Sequence, residues 1–456
     1  MIQPSPSHKA IIILLILLIS MVYSANIPRL LFERNKNKPN AYARLTTSKA
    51  IKKSLNKSPI ILVGGLGGSA LMSERKNAKE PHWWCSDKTE PFQLWASLNE
   101  MIPFVTEECL SHDLSLEMKT FNGSIRGLKQ KDEGVLIYGK DYGGLNGVNY
   151  ITNFEVQDGA YMHELTNYLI NEGGYIAGKN LRALPYDWRL GPLEWMVSTQ
   201  PIGGDFEKFK ALIEQTFRWN DNTAVSLLGH SLGGPFIQLF LASYVDEAWK
   251  AKYVKQMISI SGSFDGDVHS PIFYTAGDNY GLSFFLEKTA KELIHGFGSP
   301  QYMSPLVSPY KYPMFIYKNN ATGKVLSYMS TPDEYRRLYQ DANVPQGWDI
   351  FTNELNAVKD VKFKSPNVTM HCIFGTDVWA TTQYKYEGAK DLQDLVYSDV
   401  KDSGWEKGDG TIPNYSLELC SNFKQDRPIF THKFINSTHI NIMFEEKLFS
   451  LVLEIV

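Results

Sequence analysis

The stretch Ala224-Val-Ser-Leu-Leu-Gly229-His-Ser-Leu-Gly233-Gly-Pro-Phe-Ile-Gln-Leu-Phe-Leu-Ala-Ser-Tyr244 decides how this chain is read. Ala224 to Leu228 is a short apolar run of the length and composition of a buried strand. Pro235 to Tyr244 is apolar throughout and starts with a proline, which suits the first turn of a helix. Between them Gly229-His-Ser-Leu-Gly233 fits G-x-S-x-G, the sharp strand-to-helix turn that thrusts a strained serine hydroxyl into the open. Side chains at the two glycine positions would collide across so tight a turn. A plain Gly/Ser turn of an α/β protein is the blander reading. The strand before and the helix after favour Ser231 as a nucleophile.

Working outward, Pro59–Val63, Met257–Ile260 and Met370–Phe374 are further apolar runs, each predicted as a buried strand. Pro428–Ile435 alternates more and reads as a strand nearer an edge. Strands alternating with helices predict an α/β fold with a mostly parallel sheet. Residues 265–365 break that rhythm; they are aromatic and read as a loop-rich insertion above the sheet. Residues 25–58 form a polar lead-in, and residues 59–456 the folded domain.

A serine hydroxyl needs a base, and the base needs an orienting carboxylate. In this type of fold the chain order is Ser, then Asp or Glu, then His. His439 lies just beyond the last predicted strand and is the favoured base. His432 lies inside that strand, where a structural histidine is the simpler reading. For the acid, Asp377 follows the Met370–Phe374 strand and Asp409 lies in Gly408-Asp-Gly-Thr411; spacing alone leaves both open. Backbone N–H groups must face the developing oxyanion. Leu232, next to the nucleophile, and Leu66, in the Val63-Gly-Gly-Leu-Gly-Gly-Ser69 loop, are the expected donors. Gly65-Leu-Gly67 with Ala70 also fits a dinucleotide fingerprint, but the required helix and second strand are replaced by Pro81-His-Trp-Trp-Cys85. No nucleotide cofactor is expected. His82 and Cys85 are close, but no second pair at zinc spacing follows, so no metal is expected either.

Among 456 residues the net charge is -3, without a long run of one sign, which argues against nucleic acid as a partner. His8 and Lys9, an apolar run over 10–21 and small residues to Ser24 read as a secretory signal over 1–24. That run is shorter than the roughly 20 residues that span a bilayer. The four cysteines can pair in an oxidising lumen. Six Asn-x-Ser/Thr sequons, at Asn56, Asn122, Asn320, Asn367, Asn414 and Asn436, agree with a secreted or lumenal destination.

Over residues 59–450 the chain resembles the family of lecithin–cholesterol acyltransferase and lysosomal phospholipase A. The resemblance is carried by Pro59–Gly65, by Cys85-Ser-Asp-Lys-Thr-Glu90 with Leu94-Trp95, Leu98-Asn99 and Cys109, by Ala183-Leu-Pro-Tyr-Asp-Trp-Arg189, by the Ser231 elbow and by Ala276-Gly-Asp-Asn279. It continues through His371-Cys372 to Gly375, Gly408–Thr411, Glu418-Leu-Cys420 and His439-Ile-Asn-Ile-Met443. It implies an α/β-hydrolase fold, a triad of Ser231, Asp409 and His439, and Leu66 and Leu232 as oxyanion donors. It also implies disulfides Cys85–Cys109 and Cys372–Cys420, a membrane-binding insertion near 70–110 and cap insertions near 120–165 and 265–370. Two departures stand out. Gly64 replaces the family's usual proline, and Gly262-Ser-Phe-Asp-Gly266 replaces its Ala-Pro-Trp-Gly-Gly.

The expected activity is transfer of a phospholipid acyl group through an acyl-enzyme to water or to a lipid alcohol. The rival readings are a catalytically silent lipid binder on the same fold and a membrane-anchored acyltransferase. Trp83 and Trp84, beside Pro81 and the Cys85–Cys109 loop, are expected to contact a membrane or lipoprotein surface, since an indole is apolar with one wet N–H. Trp95 and Leu98 are expected to pack inside.

Overall fold

The computed structural model describes residues 57–79, 81–97, 100, 106–121, 125–153, 159–197, 202–277, 287–388 and 390–456. The signal over 1–24, the lead-in up to residue 56, the sequons at Asn56 and Asn122, and Leu98, Asn99, Met101, Ile102, Phe104, Asp278 and Asn279 lie outside the described residues. No described helix is long and apolar enough to cross a membrane.

Six parallel strands make the central sheet: β1 Ile60–Val63, β2 Leu181–Leu184, β3 Val225–His230, β4 Val254–Ile260, β5 Met370–Thr376 and β6 Ile429–Ile435. Their spatial order is β2-β1-β3-β4-β5-β6. β6 is one edge strand, as its alternation predicts, and β2 is the other. The chain turns from β1 to one side and returns to β3 on the other. The crevice beyond the carboxyl ends of β1 and β3 is therefore the switch point where open α/β sheets take their ligands.

Alternate residues of each strand feed two separate cores, because successive side chains point to opposite faces. Ile61, Val63, Leu227 and Met257 join one, while Ile60, Leu62, Leu228 and Ile258 join the other. Helices seal both faces. Asp205–Trp219 buries Phe206, Phe209, Leu212, Ile213 and Phe217 at helical spacing, and the C-terminal Glu446–Ile455 buries Leu448, Phe449 and Val452. β2 escapes a pattern search because Arg182 interrupts its apolar run. That guanidinium is buried yet satisfied, donating to the Gly143 carbonyl at 3.0 Å and to Thr216 Oγ1 at 3.1 Å.

Three smaller sheets surround this core. Strands Leu71–Lys76, Lys88–Trp95 and Val135–Gly139 pair antiparallel. Leu116–Phe121 pairs with Ile125–Gln130. A four-stranded sheet joins Phe315–Asn319 and Val325–Tyr328 to Val378–Gly388 and Val400–Gly408. Cys85 is bonded to Cys109 and Cys372 to Cys420, with Cα separations of 5.6 and 6.0 Å.

The loop-rich reading of 265–365 needs correction: helices His269–Ala276, Glu287–Ile294, Gly298–Tyr302, Pro332–Asp341 and Pro345–Val358 make up about half of the described part. Pro332–Asp341 and Pro345–Val358 each begin on a proline, and the first buries Tyr335, Leu338 and Tyr339 at i, i+3 and i+4. Aromatic residues had stood in for the usual aliphatic stripe. Asp265, one of the departures from the family pattern, ties this region to the core. Its buried carboxylate accepts the N–H groups of Leu306 and Val307, both at 2.9 Å, and its own N–H donates to Ser416 Oγ at 3.0 Å.

Candidate active site

The site lies at the carboxyl ends of the central strands. Ser231 follows β3 directly and holds a left-handed φ of 55°, the strained geometry expected of the elbow. The strain is held by neighbours. Ser231 N–H donates to the Ile260 carbonyl at 3.0 Å, and Gly234 N–H donates to the Ser231 carbonyl at 3.0 Å. Gly233 packs against β1 so closely that a Cβ there would meet the Val63 carbonyl oxygen at 2.4 Å. The helix after the turn, Gly233–Leu239, continues as one wider π turn to Tyr244, completing the helix expected over 235–244.

His439 lies in the turn after β6, with Nε2 2.9 Å from Ser231 Oγ. Its Nδ1 is 2.7 Å from Asp409 Oδ2, and its backbone N–H donates to the Asp409 carbonyl at 2.7 Å. The second carboxylate oxygen of Asp409, Oδ1, accepts the N–H groups of Thr411 at 3.1 Å and Ile412 at 2.8 Å. Asp409 is fully buried. It reaches this place because Val400–Gly408 runs back antiparallel along Val378–Gly388 and delivers the next residue beside Val378.

The rival candidates lie elsewhere. Asp377 is exposed in a left-handed turn after β5, and its carbonyl accepts from Lys407 Nζ at 3.1 Å. His432 sits within β6, its Nε2 3.4 Å from His371 Nδ1.

Burial alone would depress the basicity of the His439 imidazole. The charge of Asp409, its hydrogen bond and the charge of Asp267 outweigh burial and hold the imidazole above its usual 6.5. Asp267 is itself buried and receives the His269 N–H on Oδ1 at 2.8 Å. Sequence reasoning missed it, although it directly follows the departure at Gly262–Gly266. It also missed Tyr161 and His230, which border the site. His230 is an unconstrained position of the elbow motif, and Tyr161 carries no linear signal.

The loop after β1 passes directly beside the serine. A Cβ at Gly65 would lie 2.7 Å from Ser231 Cβ, so only glycine lets this backbone approach. Leu66 follows in that loop, half-buried, and Leu232 is buried immediately after the serine. Trp95 fixes the loop from outside: its Nε1 donates to the Gly67 carbonyl at 2.9 Å, and its ring packs 5.0 Å from that of Trp188. Trp83 and Trp84, by contrast, are 59% and 42% exposed. Their rings meet edge to face at 5.5 Å, and His82 stacks on Trp84 at 4.2 Å.

The family model for lecithin:cholesterol acyltransferase matches residues 91–358 and 350–446. Phosphatidylcholine-sterol acyltransferase of Gallus gallus is 27% identical over 391 residues, covering 85% of this chain and 87% of the relative. The Homo sapiens protein of that name is 26% identical over 404 residues, covering 88% and 84%. Lysosomal phospholipase A and acyltransferase of Homo sapiens is 24% identical over 388 residues, covering 84% and 87%. The chain belongs to the lecithin:cholesterol acyltransferase family.

Proposed function

We propose that this protein is a serine acyl hydrolase and acyltransferase of phospholipids, with Ser231 as nucleophile, His439 as base and Asp409 as the orienting acid. The observation that carries the reading is the continuous hydrogen-bonded line Asp409–His439–Ser231, ending on a strained serine at the sheet's switch point. Relatives named for phospholipase and acyltransferase activity support the substrate class.

Ser231 Oγ attacks the ester carbonyl carbon while its proton passes to His439 Nε2. The carbonyl oxygen becomes an oxyanion, which the N–H groups of Leu66 and Leu232 are proposed to receive. Collapse expels the lysophospholipid alkoxide, which takes the proton from Nε2 and leaves an acyl ester on Ser231. Water or a lipid alcohol then attacks that ester with His439 again as base. The product is a fatty acid or a new ester, and Ser231 is restored. Both outcomes use the same protein groups, so the acceptor decides between them. The test is turnover of phosphatidylcholine vesicles with and without a sterol or ceramide. Free fatty acid alone, or acylated acceptor when one is present, is expected. No turnover under either condition would leave a silent lipid binder.

The pH response follows from the imidazole. His439 acts as base only when neutral, and its surroundings favour the protonated form. Activity should therefore fall as pH falls, and kcat/KM on a soluble short-chain ester should show an acid limb with its midpoint above 6.5. A midpoint clearly below 6 would contradict the assigned surroundings of the base.

Docking on lipid is assigned to Trp83 and Trp84. Two exposed indoles beside a disulfide-tethered loop suit the headgroup boundary, where a largely apolar ring with one polar N–H is favoured. Partial burial of one ring is worth ~1.5 kcal/mol, about tenfold in affinity. Replacing both by serine should weaken vesicle binding by at least that much while leaving soluble-ester activity within about twofold. Flotation with vesicles measures the first and ester hydrolysis the second. Equal loss on both substrates would mean that the tryptophans support the fold.

A further inference from the structure

Beside the line of the triad side chains, a second buried polar line joins the two halves of the site. Gly65 N–H meets Tyr161 Oη at 3.0 Å, Tyr161 Oη meets His230 Nδ1 at 2.6 Å, and His230 Nε2 meets the His439 carbonyl oxygen at 3.0 Å. Four residues far apart in sequence are thus linked from the oxyanion loop, through His230 of the nucleophile elbow, to the turn that carries the base. We infer that Tyr161 and His230 are positioning residues that hold the oxyanion loop and the base turn in register around Ser231.

The direction of every bond follows from chemistry. A carbonyl oxygen only accepts, so His230 must carry its hydrogen on Nε2. A neutral imidazole then has a bare Nδ1, which can only accept, and the Tyr161 hydroxyl donates to it. The hydroxyl oxygen keeps a lone pair for the Gly65 N–H. The line therefore works only with His230 neutral. Burial holds its pKa down to about 3, aided by the charge of His439 nearby, so the line persists wherever the enzyme operates.

Its ends lie on the two groups whose placement matters. The base turn is gripped twice on one residue, since His439 donates its N–H to Asp409 and accepts on its carbonyl from His230. At the other end the line holds the N–H of the Gly64–Gly65 peptide, one peptide unit before the one that carries the Leu66 N–H. The Tyr161 ring also lies against this loop, close enough that a Cβ at Gly68 would be 2.8 Å from its Cε1. Neither side chain touches reacting atoms; each acts through what it holds. Small displacements of a catalytic constellation cost rate rather than substrate affinity.

This inference rests on the proposed triad. Its test uses three variants of the full chain on a soluble ester, with Ser231→Ala as reference. Tyr161→Phe deletes one hydroxyl and should lower kcat about tenfold with KM nearly unchanged. His230→Leu should lose more, on the order of a hundredfold. His230→Gln, which keeps an acceptor and a donor on one planar group, should recover most of that loss. Combining Tyr161→Phe with His230→Leu should add little, because both break one line. Wild-type kcat in Tyr161→Phe, or His230→Gln no better than His230→Leu, would overturn the inference. So would losses that follow the melting temperature rather than kcat. Full activity in Ser231→Ala would instead overturn the triad reading beneath it, so the two failures are distinguishable.

Discussion

Ser231→Ala is expected to lower phosphatidylcholine turnover by at least ~10⁴-fold while the protein stays folded. The substitution removes one oxygen. Ser231 is half-buried and its oxygen is bonded to His439 Nε2 at 2.9 Å, so the fold loses about one hydrogen bond, roughly 1 kcal/mol. The left-handed backbone at residue 231 is as costly for alanine as for serine, and the elbow is held by backbone hydrogen bonds that the substitution leaves in place. Catalysis loses much more, because among the described residues no other hydroxyl is bonded to that imidazole. The acyl-enzyme cannot form, and only the weaker help of oxyanion donors to an attacking water remains. Adding His439→Ala should cost little beyond the first change, since members of such a unit fail together. Vesicle turnover, labelling by a fluorophosphonate probe and a thermal melt check the three parts. Wild-type turnover with the melt intact would remove Ser231 from the mechanism, whatever its geometry.

How far the sequence could be read depended on where each element buries its surface. β1 and β3 are covered on both faces, so Ile60–Val63 and Val225–Leu228 appear as unbroken apolar runs. β2 is just as buried but contains Arg182, whose charge hides the strand from any search for apolar runs. The helices at Pro332 and Pro345 carried a start signal, but in the first the buried Tyr335 and Tyr339 disguised the core face. At the site, Ser231 and His439 could be singled out because each follows a recognisable strand. The acid could not be chosen from spacing. Asp409 comes to His439 through the pairing of 378–388 with 400–408, a long-range register that no local pattern records. Tyr161 was invisible for the same reason, since its partners are 96 residues before it and 69 after it.

Asp409→Asn should disable the enzyme by about 10⁴-fold, whereas Asp377→Asn should stay within about twofold. The difference follows from what surrounds each carboxylate. Asp409 Oδ1 accepts two backbone N–H groups, from Thr411 and Ile412, while Oδ2 faces His439 Nδ1. An asparagine at 409 must leave its oxygen with those two donors, because reversing the amide would set an NH₂ group against them in a buried site. Its NH₂ group then faces His439 Nδ1 and donates to it. The imidazole must accept there, so its hydrogen moves to Nε2, and Nε2 can no longer take the proton of Ser231. The fold is nearly unchanged while the base is held in the wrong tautomer. At Asp377 no such chain exists. The side chain is exposed, its carbonyl is the group that meets Lys407, and asparagine tolerates the left-handed turn as well as aspartate does. Rates of the two variants on one soluble ester decide the matter. A crippled Asp377→Asn beside an active Asp409→Asn would show that the acid is misassigned and that the 2.7 Å contact at His439 is structural only.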